Sequence, residues 1–499
     1  MTTQTTTHTE PRALRMFDMI LFSVCAILLL SQVTLTAQIG PSAIVWTIVM
    51  IALFFLPYGL MTAELGSTYP DAGGIYSWIV RAFGNKWGTR VSWWYWLNVA
   101  LWVPSVYLMF SVVLSDMFFP DLGFWPQVWI AMALIAVNWF VNIMTLETGK
   151  WVPNIGAVIT VGVILLIGVA GIIAFTDGGS ATSFAWNTDS MIPTAATAAL
   201  ALPIIIYNFL GFELMSSASN EMRNPRRDVP RTIVIAGVLI GAFYLISTVG
   251  MQVIMPAEEI SETSGLMDAL RSVFGDNLLV TLVGIGILYA FFAALIPWTI
   301  GANRAAAEAA EQGDLPPVFK KMSAKHRTPV GAANLTALVS AAITLIYGVL
   351  FSVTNGDIDS LFWSLFAFSS IVFLLPYVAM SLAFLRLRVR DPHAERPYKV
   401  PGGTVGAWTS AILVIMLLVA AVFFFVWNPW IEFDATTTWL ILGGLAATFI
   451  AQEVLVAMSP RWKKAHPELV DVELDGIAPD TAAGIERSYQ HHTSDGGQS

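Results

Sequence analysis

Ionisable side chains are scarce in this chain of 499 residues, of which only 12% are Asp, Glu, Lys or Arg. Soluble domains carry about 25% charged residues, so a single water-soluble core of this size is excluded. Hydrophobic residues make up 56% of the sequence, which also excludes an intrinsically disordered chain. The formal net charge of −9 argues against nucleic acid as a partner.

Reactive and metal-binding side chains are also few. Cys25 is the only cysteine, which excludes a disulfide framework and a zinc cluster. The six histidines all lie in the tails or in predicted inner loops, so we expect neither a metal site within the membrane nor a histidine proton relay. We find no glycine-rich phosphate-binding motif, so the sequence predicts no built-in ATP motor and no cofactor.

Long apolar runs dominate what is present. A transmembrane helix needs about 20 apolar residues, and the sequence contains twelve runs of roughly that length. We therefore predict an all-α integral membrane protein with twelve transmembrane helices. The predicted spans are 17–38, 41–65, 91–119, 127–146, 151–175, 191–219, 232–255, 277–302, 330–353, 360–385, 405–427 and 437–458.

The positions of Lys and Arg predict the orientation, because inner loops carry an excess of both. With both termini in the cytosol, 24 of the 25 lie on the inner side and only Arg271 lies outside. The chain is then predicted to divide into a cytosolic tail at 1–15, a twelve-helix membrane domain at 16–458, and a polar, mobile cytosolic tail at 459–499. The outer loop at 256–276 is acidic, either as a solvated loop or as a funnel for cations.

One acidic residue lies deep in a predicted span. Glu213 is the only acidic residue that falls deep within a predicted span, where a carboxylate costs several kcal/mol unless it is paired, protonated or in contact with water. Pro203 removes a backbone donor and Gly211 tolerates non-helical dihedral angles, so we predict a helix break between Asn208 and Phe212. Such a break is tolerated in a membrane where it lines a cavity. The alternative is a proline kink with Glu213 hydrogen-bonded to a neighbouring helix.

The first span contains no comparable signal. The sequence from Ser23 to Gln32 has no glycine and no proline, so these residues alone favour a continuous helix. Cys25 is interpreted as a small packing residue, because no histidine lies in any span to activate it.

Several strings resemble one family of transporters. They are Pro-Asp-Ala-Gly-Gly-Ile-Tyr at 70–76, Gly-Phe-Glu at 211–213, the polar stretch 220–230, Gly-Asp-Leu-Pro at 313–316, and Arg-Pro-Tyr-Lys-Val-Pro-Gly-Gly at 396–403. Over roughly 15–458 the chain resembles the amino acid–polyamine–organocation transporters. The string at 56–64, together with 220–230, is most similar to the bacterial glutamate/GABA antiporter branch.

The resemblance implies a fold and a set of site residues. The fold is two inverted five-helix repeats at about 17–175 and 191–385, two extra helices at 405–458, and broken first and sixth helices. The backbone from Ser23 to Ile27, with Cys25 and Ala26, is expected to receive a substrate carboxylate, and that from Asn208 to Gly211 an amino group. The resemblance further assigns an aromatic gate to Tyr207, substrate packing to Trp298, weaker contacts to Tyr95, Ser369 and Tyr377, and gating or proton sensitivity to Glu213.

The leading functional hypothesis is an amino acid antiporter of the bacterial plasma membrane that works by alternating access. Its partners are a small amino acid or amine and the lipid bilayer, with protons as a candidate coupling ion and the oligomeric state left open. The alternative is a proton-coupled amino acid or polyamine symporter in which Glu213 carries the proton. An enzyme or a receptor is less favoured, because a single deep acid and short loops supply neither an active site nor a ligand-binding domain.

Overall fold

The computed structural model describes most of the membrane domain. The described residues are 16–70, 74–120, 122–144, 151–214, 224–323, 325–326, 328–353, 358–430 and 435–465. Within these ranges all regular secondary structure is helical. The N-terminal tail, most of the C-terminal tail, the string at 71–73 and the stretch 215–223 lie outside the described residues, so the predictions for those segments remain predictions.

Sixteen α-helices follow one another along the described chain. They are α1 Met16–Ile27, α2 Leu30–Gln38, α3 Ser42–Met50, α4 Leu56–Thr68, α5 Ile75–Phe83, α6 Asn85–Phe118, α7 Phe124–Ile143, α8 Trp151–Gly178, α9 Ala195–Asn208, α10 Pro225–Ile254, α11 Gly265–Phe274, α12 Leu278–Glu311, α13 Val330–Val353, α14 Ile358–Arg390, α15 Gly403–Val426 and α16 Ala435–Ala465. A π-helical turn, Ile51–Phe55, joins α3 to α4, and short 3-10 turns lie at Ala257–Glu259 and Pro317–Lys320.

Ten helical segments in the described chain are long and apolar enough to cross a membrane, and the bent pair formed by α1 and α2 makes an eleventh. The shorter α9 falls within the sixth predicted span. Large apolar side chains are exposed on the outside of the bundle, as expected for surfaces in contact with lipid tails. Val158, Ile172, Leu338 and Ile450 are each more than 60% exposed. The protein is a multi-pass, all-helical membrane protein.

The first span is broken, so the continuous helix favoured by its residues alone is wrong. α1 ends at Ile27, α2 begins at Leu30, and their axes differ by 49°. Leu28 and Leu29 lie outside both helices. The family resemblance implied this break, which no residue within the span signals. Its stabilising partner is a side chain on a helix more than 200 residues away, described below.

The sixth span is interrupted where the sequence predicts it. α9 ends at Asn208, and Gly211 adopts a φ of +114°, which glycine reaches without the cost that a Cβ would impose. Pro203 lies inside α9 and does not end it. Because α9 stops in the middle of the apolar run, the backbone from Phe209 to Glu213 crosses the protein core as irregular chain.

The third and tenth spans form the centre of the bundle. α6 and α14 are its most enclosed long helices, and they pack against each other. α4 packs on α10 and α15, while α12 packs on α6 and α8. The irregular segment of the sixth span therefore lies among helices that reach it from several directions.

Single cysteines can test the predicted orientation, because Cys25 is the only native cysteine and is buried. In a Cys25→Ser background, Glu259→Cys lies on the predicted outer side and Lys321→Cys on the predicted inner side, and both positions are exposed. We expect a membrane-impermeant maleimide to label Glu259→Cys in intact cells and Lys321→Cys only after permeabilisation. The reverse pattern would contradict the orientation derived from the basic residues.

Candidate functional site

Glu213 lies at the sixth-span break and is buried, with 2% of its surface exposed. Three tyrosine hydroxyl groups donate hydrogen bonds to its carboxylate. The Tyr58 hydroxyl is 2.8 Å from Oε2, while the Tyr95 and Tyr377 hydroxyls are 3.0 Å and 2.7 Å from Oε1. Hydrogen bonds to a charged group contribute roughly 1.5–3 kcal/mol each, so these three offset much of the desolvation of the carboxylate.

Each tyrosine comes from a different helix. Tyr58 lies on α4, Tyr95 on α6 and Tyr377 on α14. Just before Tyr58, Pro57 lacks the N–H that would bond to the Leu53 carbonyl in a regular α-helix, and the chain there forms the π-turn. π-turns within helices are frequently found at functional sites. The carboxylate therefore gathers side chains that are distant in sequence around one point of the core.

A second buried carboxylate shows how unusual the surroundings of Glu213 are. Glu64 is also 2% exposed, but it is neutralised by two arginines. Arg388 donates to Oε1 and Oε2 at 2.8 Å and 2.5 Å, and Arg396 Nε lies 3.3 Å from Oε1. Among the described residues, Glu213 has no Lys or Arg partner within ion-pair distance. Its hydroxyl partners stabilise a negative charge without cancelling it.

The break in the first span is held by Tyr244, which projects from α10. Its hydroxyl donates to the Ile27 carbonyl at 2.8 Å and accepts the Leu29 N–H at 3.2 Å. One side chain thus satisfies one carbonyl and one N–H group that lose their helical partners at the break. Unpaired backbone groups would otherwise cost several kcal/mol each at this depth.

Trp298 connects the two breaks. Its indole N–H donates to the Ala26 carbonyl at 2.7 Å, and a Cβ placed on Gly211 would lie only 2.9 Å from the indole ring. Trp298 also packs edge-to-face against Trp102 and Phe373, with ring centroids 5.9 Å and 5.2 Å apart. The absence of a side chain at Gly211 is what allows the sixth-span backbone to approach this ring.

A hydrogen bond between polar side chains links α2 to the residue at which α9 ends. The Asn208 Nδ2 group donates to the Thr36 hydroxyl of α2 at 2.9 Å. The buried Asn208 Oδ1 has no hydrogen-bond partner within the described part of the chain, and neither does the buried side-chain amide of Gln32. These buried polar atoms lie near the two interrupted helices and lack the hydrogen bonds that burial normally requires.

The other residues singled out in the sequence occupy different surroundings. Tyr207 packs edge-to-face against Phe366 and Phe373, with ring centroids 5.3 Å and 5.2 Å apart. Phe373 also contacts Trp298, so the three rings form one aromatic cluster. Ser369 is buried, and its hydroxyl donates to the Phe366 carbonyl of its own helix at 2.9 Å. The structure does not bring it to the Glu213 carboxylate.

The segment expected to receive a carboxylate, 23–27, is helical. The Ser23 hydroxyl donates to the Met19 carbonyl at 2.8 Å, within α1. Cys25 is buried against the fifth span, where its sulfur would lie 3.4 Å from a Cβ on Gly156. Ala26 and Ile27 border the break through their carbonyl groups, which Trp298 and Tyr244 occupy. The irregular backbone is at Leu28 and Leu29, just beyond the expected segment.

Sequence reasoning did not assign Tyr58 or Tyr244 to the site. Tyr58 lies in the string at 56–64 and directly follows Pro57. A proline within a predicted span is the one local feature that could have drawn attention to Tyr58. Tyr244 lies in an apolar stretch of α10 with no motif around it. Its role depends on where α10 packs, which the local sequence does not encode.

The geometry invites comparison with known proteins. A family model described as amino acid permease matches residues 14–445. The chain belongs to the amino acid permease family. Membership makes it a transporter of the amino acid–polyamine–organocation superfamily and not an enzyme, in agreement with the resemblance recognised in the sequence.

Individual relatives of this permease were also found. A protein of Lactococcus lactis named as a probable agmatine/putrescine antiporter is 33% identical over 81% of this chain and 86% of its own length. A glutamate/gamma-aminobutyrate antiporter of the same species is 22% identical over 74% of this chain and 75% of its own. The glutamate/GABA antiporter branch expected from the sequence is thus among the relatives. The agmatine/putrescine antiporter is more similar to this chain than that glutamate/gamma-aminobutyrate antiporter is, at 33% against 22% identity.

Solved structures support the fold. The crystal structure of a mutant Eremococcus coleocola manganese transporter has a TM-score of 0.54 at 14% identity, covering 90% of this chain and 94% of that one. At this identity the likeness concerns the fold alone.

Replacing Glu213 by glutamine tests the central carboxylate. Glu213→Gln keeps the side-chain shape but removes the charge. It also turns an N–H donor toward tyrosine hydroxyl groups that, in the wild type, donate hydrogen bonds to the carboxylate. We expect uptake to fall by about tenfold to a hundredfold, because a charge-assisted contact of roughly 1.5–3 kcal/mol is lost. Uptake and membrane insertion are measured together, so that a transport defect is separated from a folding defect.

Glu453→Gln is the matched control. Glu453 pairs with Arg90 at 2.8 Å near the surface, and such pairs contribute only about 0–1 kcal/mol. If Glu213→Gln takes up substrate at the wild-type rate between about pH 5 and pH 8, the Glu213 carboxylate has no role in transport.

Replacing Trp298 by alanine tests the connection between the breaks. Trp298→Ala removes the hydrogen bond to Ala26 and the ring that covers Gly211. We expect the KM for substrate to rise roughly tenfold, about 1.4 kcal/mol, with little change in expression. Trp408→Ala, at a half-exposed position on α15, is the control. An unchanged KM in Trp298→Ala would show that this ring only packs.

Proposed function

We propose that this permease is an antiporter that exchanges small cationic amines across the bacterial plasma membrane, with Glu213 receiving the cationic group of the substrate. The observation that carries the proposal is a buried carboxylate at a helix break whose described side-chain partners are hydroxyl groups alone. The proposal agrees with the hypothesis of an amino acid or amine antiporter drawn from the sequence, and it narrows the substrate class.

The charge at the break favours cations over anions. Two like charges about 4 Å apart repel by roughly 4 kcal/mol at an effective dielectric constant near 20, and opposite charges attract by as much. A substrate carboxylate beside Glu213 would meet that repulsion, whereas an ammonium or guanidinium group would be stabilised. Aliphatic amines remain protonated at neutral pH, because their pKa values lie near that of lysine.

The hydrogen-bonding groups of the breaks point to the same class. The Leu29 N–H is bonded to Tyr244, and the Leu28 N–H is bonded to the Val24 carbonyl at 2.9 Å. These two amides are therefore occupied before any substrate carboxylate arrives. By contrast, Asn208 Oδ1 at the sixth break and Gln32 Oε1 on α2 are acceptors without a described partner, and Gln32 Nε2 is one donor without a described partner. Acceptors of this kind suit a substrate rich in N–H donors.

The relatives give independent support. The Lactococcus lactis protein at 33% identity is named as an agmatine/putrescine antiporter, and both of those amines carry cationic groups at each end. Tyr207 and Trp298 pack on Phe373, which packs edge-to-face on the Tyr377 ring that binds Glu213. These aromatic surfaces suit the methylene chain between such groups.

Alternating access also requires contacts that close the substrate site on one side of the membrane and that separate when the site opens to that side. Glu64 of α4 binds Arg388 of α14, and it accepts the Val400 N–H at 2.7 Å from the loop before α15. These contacts lie at the end of the bundle predicted to face the cytosol. We infer that they hold that side closed in this conformation and separate when the substrate leaves inward.

Counterflow in proteoliposomes tests the proposal. Vesicles loaded with unlabelled putrescine are expected to take up labelled agmatine more than about tenfold faster than empty vesicles, because the empty carrier reorients slowly. Labelled glutamate is expected to enter at the background rate, since its net charge matches that of Glu213.

Two results would contradict the proposal. Uptake of amine into empty vesicles driven by an inward proton gradient would instead indicate the proton-coupled symporter. Exchange of glutamate as fast as that of agmatine would contradict cation selection at Glu213. Vesicles carrying Glu213→Gln serve as the loss-of-charge control in the same assay.

A further inference from the structure

A basic cavity of about 650 Å³ lies at the start of α10, far from the helix breaks. Its wall includes Arg226, Arg227 and Arg231 from α10 and Glu395 and Tyr398 from the loop before α15. This end of α10 faces the cytosol in the predicted orientation. Neither the proposed transport mechanism nor the site residues involve this cavity.

The charges in the cavity are unequal. Arg226 is paired with Glu395, with its guanidinium 2.7 Å from the carboxylate, and both side chains are more than half exposed. Arg227 and Arg231 have no ion pair with any side chain in the described part of the chain. The cavity wall thus carries three guanidinium groups and one carboxylate, an arrangement that favours an anion.

The face of α10 that carries these arginines becomes apolar one helical turn further into the membrane. Arg227, Arg231, Val234, Ile235 and Val238 follow the spacing of one helical stripe. Val234 and Ile235 also line the cavity, and they are 51% and 40% exposed, while Val238 is 66% exposed. An anion-binding end therefore continues into an apolar surface that runs into the membrane.

Two other surface grooves lack this combination. One is lined by apolar side chains of α8 and α12, and the other by residues of α15. Neither wall contains a charged residue among those described. The basic cavity is therefore not simply one of the apolar grooves that lipid tails fill.

We propose that this cavity binds one anionic phospholipid, with the lipid phosphate on Arg227 and Arg231 and an acyl chain along Val234, Ile235 and Val238. Guanidinium groups bind phosphate in a bidentate manner, and basic pockets at the cytosolic ends of membrane helices recognise anionic headgroups. The apolar stripe favours a lipid over free phosphate, because inorganic phosphate would leave the lower part of the cavity unfilled.

Native mass spectrometry of the full-length protein in neutral detergent tests the proposal. The lipids added are phosphatidylglycerol or phosphatidylcholine, and inorganic phosphate is added as a competitor. We expect one phosphatidylglycerol to be retained in preference to phosphatidylcholine. Arg227→Gln/Arg231→Gln should weaken that binding roughly thirtyfold, since each basic residue contributes about 1 kcal/mol to binding an anionic lipid.

Lys321→Gln/Lys325→Gln is the matched control, because it removes the same charge from exposed positions of another predicted inner loop. It should bind phosphatidylglycerol as the wild type does. If the double arginine variant is not recovered folded, Arg231→Gln alone should weaken binding about fivefold. Equal retention by the arginine variants and the wild type, equal retention of the two lipids, or full displacement by inorganic phosphate would each overturn the proposal.

Discussion

A carboxylate enclosed by protein at the depth of a membrane needs partners, and in this permease the partners of Glu213 are hydroxyl groups. Tyr58, Tyr95 and Tyr377 supply three hydrogen bonds from three helices. Hydrogen bonding to neutral donors lowers the cost of the charge but leaves its sign in place. The position of α4, α6 and α14 around the sixth-span break, and the proposed preference for cationic substrates, both depend on this arrangement.

Both helix breaks are maintained by side chains from elsewhere in the fold. Tyr244 occupies the carbonyl of Ile27 and the N–H of Leu29, while Trp298 binds the Ala26 carbonyl and covers Gly211. Trp298 therefore contacts both interrupted helices at once. A movement of either break has to be accommodated by this ring, which gives the two halves of the proposed site a direct physical connection.

The two buried acids show how similar residues take different roles. Glu64 is neutralised by Arg388 and Arg396 and ties α4 to the segment that follows α14. In the proposed mechanism this pairing closes the cytosolic side and separates when the substrate leaves inward. Glu213 lacks such a partner among the described residues, and in the proposed mechanism the cationic substrate supplies it. Their sequence positions within apolar spans gave only a first indication of this difference.

The sequence by itself determined the features that follow from local chemistry. Apolar runs of membrane-spanning length gave the helical membrane fold, and Pro203, Gly211 and the deep Glu213 indicated the sixth-span break. The family strings added the break in the first span and drew attention to Tyr95, Trp298 and Tyr377. Only the tertiary structure decided what surrounds them. Tyr58 and Tyr244 reach the breaks because α4 and α10 pack there, and Ser369 bonds to its own helix because of the direction its side chain takes. The contacts of Tyr58 and Tyr244 join residues more than 150 positions apart, and no local pattern encodes which distant helix will supply a missing hydrogen bond.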